Sequence, residues 1–159
     1  MSTSPTGQTT AETATPDGGF SAEERAAIKA RAAELKAEAR RGKAADKAAA
    51  DRQGVVDKIA AMQQPDRDMA ERIDRIVADV APQLVAKLYY GQPGWAKDGK
   101  VVVFYRSGKD DKERYSTLGF SSQATLDDAG GLWATSYALD HLDEKSEQTI
   151  AALIRTAAG

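Results

Sequence analysis

The single histidine, His141, lies in the run Asp140-His141-Leu142-Asp143-Glu144. An imidazole beside three carboxylates is a donor set for a divalent cation, and its oxygen ligands suit a hard ion such as iron. Asp140, His141, Asp143 and Glu144 are therefore the candidate metal ligands. The same residues also suit a turn that feeds a helix. There Asp140 and Asp143 would accept from free backbone N–H groups and face the positive end of the helix dipole. General chemistry favours this capping role. A second set is aromatic and cationic: Tyr90, Trp95, Arg106, Trp133 and Tyr137 fall in or beside strand-like segments. Aromatic rings on a sheet pack a core or line a concave face that receives a small ligand or peptide. Arg106 and Lys97 would supply charge for an anionic ligand on such a face.

Other chemistries lack their residues. With no cysteine there is no thiolate nucleophile, disulfide, thiolate zinc site or iron–sulfur ligation. One histidine excludes a multi-histidine metal site. Five serines, Ser107, Ser116, Ser121, Ser122 and Ser136, have only His141 as an imidazole partner, and no Gly-x-Ser-x-Gly elbow is present. Phosphate-cradling glycine loops of the GxGxxG and Walker A types are missing. Asp127-Asp128 reads as a loop pair making Asx-turns rather than an acid/base couple. No catalytic residue is assigned, and the expectation is a protein that is not an enzyme.

The elements that must position these residues fall into three zones. Residues 1–19 are rich in Ser, Thr, Gly and Pro, which predicts a disordered tail. The opening MSTSPTGQTT carries no basic n-region or apolar h-region, and no run is long enough to span a bilayer, so the expectation is a cytoplasmic protein without a membrane. Residues 20–53 read as a charged, Ala-rich helical extension. Ser21 and Glu24 make a capping box at its start, and Gly42 is a weak point where it should fray. Its large apolar residues are Phe20, Ile28 and Leu35. Such a helix rests on propensity and i,i+4 pairs more than on burial.

The remaining large apolar residues place the folded domain at residues 54–158. Val55, Val56, Ile59 and Met62 predict a short helix of their own. Met69, Ile73, Ile76, Val77, Val80 and Leu84 follow a 3.6-residue period that predicts a second helix, ending at Pro82. Strands are predicted near residues 87–90, 100–106, 114–120 and 131–139, with a turn at Gly91-Gln92-Pro93-Gly94. Asp143 to Ala157 predicts a closing helix with Ile150, Leu153, Ile154 and Ala157 on one face. The order implies an α+β fold: an antiparallel sheet with helices packed on one face, plus the long N-terminal helix.

Several short motifs occur in order within this domain. They are Pro82-Gln-Leu-Val-Ala-Lys-Leu-Tyr-Tyr-Gly-Gln-Pro, Tyr115-Ser-Thr-Leu-Gly-Phe, Leu126-Asp-Asp and Trp133-Ala-Thr-Ser-Tyr-Ala-Leu. Together they resemble the YdhG-like domain family. Gln92 stands where the family's turn carries Met, and Ala134 where one branch carries Pro. The resemblance implies a frataxin-like fold and, through one bacterial member proposed as an intracellular iron chaperone, a weak iron-binding role. On the predicted helix starting at Pro65, Asp66, Asp68, Glu71, Asp74 and Asp79 would be the matching carboxylates. They are interleaved with Arg67, Arg72 and Arg75 at i,i+4, which lowers the negative field a metal would feel.

The functional expectation is thus a small intracellular binding protein, with weak iron or metal binding as the role the resemblance implies. The alternative is a protein-interaction module using residues 20–53 for a partner or for self-association. A third reading is an enzyme without a recognisable motif. A basic stripe of Arg25, Lys29, Lys36, Arg40, Lys43 and Lys47 runs along the extension. The first 54 residues nevertheless hold nearly equal numbers of cations and carboxylates, and no aromatic residue interleaves with the stripe for base stacking, so nucleic acid is not the expected partner.

Overall fold

The computed structural model describes residues 20–159 and is α+β. The tail expectation for residues 1–19 lies outside the described residues. Helix α1 runs over Ala22–Ala60, α2 over Asp66–Val80 and α3 over Glu144–Ala158. The strands are β1 (Val85–Tyr89), β2 (Gln92–Lys97), β3 (Lys100–Arg106), β4 (Ser116–Phe120) and β5 (Ser136–Leu139). Among the described residues no helix is long and apolar enough to cross a membrane. By contacts the chain divides between Lys43 and Ala44.

In the first unit α1 is all surface. From Ala22 to Lys43 every residue is exposed except half-buried Ala37. Ser21 Oγ accepts the Glu24 N–H at 3.1 Å, the first half of the expected cap. The helix does not fray at Gly42, and it continues through Gly54. The separate helix expected at Val55–Met62 is the last turns of α1, because neither glycine supplies a competing turn to end it. Propensity on both sides outweighs the roughly 1 kcal/mol that each glycine costs.

The second unit, Ala44–Gly159, is built on a five-stranded antiparallel sheet whose spatial order, β1-β2-β3-β4-β5, is the sequence order. Two tight turns make the first hairpins. Tyr90 and Gly91 have φ of +47° and +76°, and Asp98 and Gly99 have +51° and +80°. Paired positive φ suits a two-residue hairpin loop, because its twist matches that of the strands. The chain therefore turns at Tyr90-Gly91, not at Gly91–Gly94. Gln92-Pro93-Gly94 opens β2, a strand the sequence reading lacked. At the other end β5 is shorter than expected: residues 131–135 are irregular and only Ser136–Leu139 pair.

The core lies on one face of the sheet. Val55 and Ile59 of α1, Met69, Ile73 and Val77 of α2, and Ile150 and Ile154 of α3 pack on Ala86, Trp95, Val103, Tyr105, Leu118, Phe120 and Leu139. The apolar period of α2 and the apolar face of α3 both point at this layer, as amphipathic helices over a sheet must. The opposite sheet face carries Tyr89 and Phe104, whose rings meet at 4.9 Å. Phe104 pairs with Gly119, and a side chain at position 119 would collide with its ring, so glycine is required there by close approach.

Candidate functional site

An apolar groove of about 350 Å³ lies between β5 and α3. Tyr137 and Leu139 form its sheet wall, Ile150 and Leu153 its helix wall, and Asp143, Lys145, Ser146 and Thr149 its polar rim. Tyr137 is held edge-on to Phe120, with ring centres 6.1 Å apart. The rim is rigid because Asp143 caps α3. Its carboxylate accepts the Ser146 N–H at 2.8 Å, and Ser146 Oγ accepts the Asp143 N–H at 2.8 Å. The Ser146 N–H first, and then the Ser146 hydroxyl, hold the Asp143 carboxyl below its usual range.

Strand β5 is also an edge of the sheet, and its pairing fixes which peptide groups are free. Phe120 N–H donates to the Thr135 carbonyl at 2.8 Å. With the register Leu118↔Tyr137 and Ser116↔Leu139, the hydrogen-bonded pairs alternate from there. Tyr137 and Leu139 therefore spend their backbone groups on β4. Those of Ser136 and Ala138, both exposed, point away from the sheet. An apolar groove beside a row of unpaired donors and acceptors is a template for one more strand.

The five expected ligand-binding residues do not gather at one place. Tyr137 alone lines the groove. Tyr90 stands in the first hairpin turn, 83% exposed, with its ring against Tyr89. Trp95 is 1% exposed on the core face of β2, its Nε1 donating to Asp74 at 3.1 Å. Arg106 ends β3 and pairs with Asp111 at 3.0 Å. Trp133, 41% exposed, precedes β5 and lines a separate recess with Phe120, Ser121, Ala124 and Asp127. It shares no strand face with Tyr137, because the pairing that would impose alternation starts only at Thr135 and Ser136. Lys97 bonds the Ala158 carbonyl at 2.9 Å, closing the end of α3.

The expected metal ligands are spread as well. Asp140 and His141 approach to 3.7 Å with both side chains in solvent, and Asp143 is committed to its cap. Among the described residues, no group of three or more His, Asp or Glu is placed to hold a metal ion. On α2, Asp68 pairs with Arg72 at 3.0 Å, and Asp74 is taken by Arg52 and Trp95. Asp66 is buried and accepts from Ser107 Oγ at 2.6 Å and the Lys109 N–H at 2.9 Å. That bond set belongs to a closed polar cluster. The Tyr105 hydroxyl donates to the Asp66 carbonyl at 3.1 Å and shares a hydrogen bond with Ser116 Oγ, which accepts the Gly108 N–H. It anchors the loop after β3 to the start of α2. Burial first of all raises the Tyr105 phenol above its ordinary range.

The sequence reading missed the groove because it named Tyr137, Asp143, Ile150 and Leu153 for separate reasons. Only the packing of α3 beside β5 joins them. No family model, curated protein or solved structure matches the chain.

Proposed function

We propose that this chain is a peptide-binding module that adds an extended segment of a partner protein to the free edge of β5. The observation that carries the reading is the outward-facing peptide groups of Ser136 and Ala138 beside an apolar groove. Main-chain bonds to these groups supply affinity for any extended backbone. Alternate partner side chains drop between Tyr137, Leu139, Ile150 and Leu153, which favours aliphatic residues at every second position. The groove's size falls at the lower end of the roughly 300–1,000 Å³ of ligand sites, enough for side chains rather than a large cofactor. Kinship with the YdhG-like domains is part of the same proposal, carried by the motifs between Pro82 and Leu139.

A phage-displayed library of random linear peptides, selected on the full chain, tests the reading. The expected winners carry alternating aliphatic residues and lose at least tenfold in affinity for Ala138→Pro. That substitution removes an edge donor and spares the ladder to β4. Leu153→Glu should weaken the same peptides, and Trp133→Ala should leave them unchanged. Failure to enrich any peptide, or peptides that bind Ala138→Pro as well as the parent, overturns the proposal. So does a dimer of the chain that dissociates on Ala138→Pro, which would assign the edge to a second copy.

A further inference from the structure

The charges of α1 between Ala22 and Lys43 are sorted by side. On an unbroken helix, successive residues turn by about 100°. Arg25, Lys29, Lys36, Arg40 and Lys43 then fall within an arc of about 60°, spread over about 27 Å of axis. The half-cylinder running from Ala39 round to Ala30 contains this arc and holds otherwise only alanines, Ala22, Ala26, Ala32, Ala33 and Ala37 among them, with exposed Ile28 and Leu35 just beyond its Ala39 edge. The four carboxylates of the segment, Glu23, Glu24, Glu34 and Glu38, lie on the other half. There Arg31 holds Glu34 at 3.1 Å and Glu38 at 3.9 Å. Lys29, Lys36, Arg40 and Lys43 make no ion pair among the described residues, and all are exposed. The near balance of charge along the sequence therefore conceals a face of one sign.

We propose that this face docks lengthwise in the major groove of B-form DNA, contacting phosphates without reading sequence. Three features select that occupant. First, the cations recur along the helix, and duplex DNA carries about one phosphate charge per 1.7 Å of axis, a density that matches a long stripe. Second, methyl side chains around the stripe keep the helix slim, and the B-form major groove is wide enough for an α-helix, whereas that of A-form RNA is not. Third, Ile28 and Leu35 are the only bulky apolar side chains bordering the stripe between Ala22 and Lys43, too few for the apolar face of a membrane-surface helix, and the half-cylinder has no Asn or Gln to pair with adenine. Binding is therefore weak, general and steep in salt.

Fluorescence anisotropy of the full chain with labelled mixed-sequence duplex DNA tests the assignment. The expected dissociation constant is about 1–100 µM near physiological salt, with log affinity falling against log salt at a slope of about −3 to −5. Lys29→Glu/Lys36→Glu/Arg40→Glu should weaken binding at least thirtyfold. Lys100→Glu/Lys112→Glu/Arg114→Glu, with the same net charge, should change it by less than threefold. Circular dichroism confirms that both variants keep their helix. The proposal is overturned by no binding at low salt, by equal losses in the two variants, or by a slope shallower than −1. Equal or tighter binding of duplex RNA, of polyglutamate, or of phosphatidylcholine vesicles containing phosphatidylserine overturns it too.

Discussion

Arg52 and Asp74, 22 residues apart, meet in a two-pronged pair, both guanidinium nitrogens on both carboxylate oxygens, and the same carboxylate accepts the Trp95 Nε1–H. One side chain of α2 thereby fastens the end of α1 and the second strand. The Asp74 carboxylate raises the Arg52 guanidinium above its usual value.

Asp74→Ala should cost about 2–3 kcal/mol in urea unfolding, because it strands a buried indole donor as well as a cation. Arg52→Ala should cost less, about 1 kcal/mol, since its guanidinium is half in water. Equal losses from the two substitutions would show that the indole bond contributes nothing.

Asp143 supplies an acid-sensitive contribution. Its folded carboxyl lies below the ordinary range, so the stabilisation is full above the unfolded value near 4 and is lost as pH falls through the folded value. The melting temperature of the parent should therefore drop more steeply below about pH 4 than that of Asp143→Ala, which starts lower at neutral pH. Parallel pH profiles would remove the cap from the account.

Tyr105 gives the opposite sign. The fold favours its neutral phenol, so this stabilisation is present below the unfolded value near 10 and is lost as pH rises through the higher folded value. Ultraviolet titration should show one of the five tyrosines silent until the chain unfolds in alkali. Tyr105→Phe should abolish that silent group and cost about 1–2 kcal/mol at neutral pH. Five tyrosines titrating together would refute it.

Gly119→Ala should destabilise by about 1–3 kcal/mol, because the new methyl group meets the Phe104 ring. In a Phe104→Leu background the cost should shrink. A double-mutant cycle in calorimetry reads the coupling, and additive losses would place the strain elsewhere.

How much of this was legible depends on range. The helix α2 was readable because Met69, Ile73, Val77 and Val80 repeat on one face over about three turns, a pattern that local sequence carries by itself. The cap at Asp143 was readable for the same reason. Strand β2 was not: Gln92-Pro93-Gly94 has turn composition, and only pairing on both sides with β1 and β3 makes it extended. Of the two turns that bracket it, only Asp98-Gly99 carries a hairpin dipeptide; Tyr90-Gly91 does not. Of the site, Tyr137 and Asp143 were named, but as members of different sets. Their shared groove exists only once α3 has come to lie beside β5, a relation no spacing encodes.

Because each strand lies against its chain neighbour, sheet assembly closes only connections within the sheet, the longest being residues 121–135, and the first two hairpins form on the local, rapid side of folding. The distant contact is α3 against α2, across the whole meander. The slow, entropy-limited event is then the return of that last helix, and the groove between β5 and α3 comes into being only at that moment. A newly made chain would complete that groove last, after the sheet, its β5 edge included, is already in place.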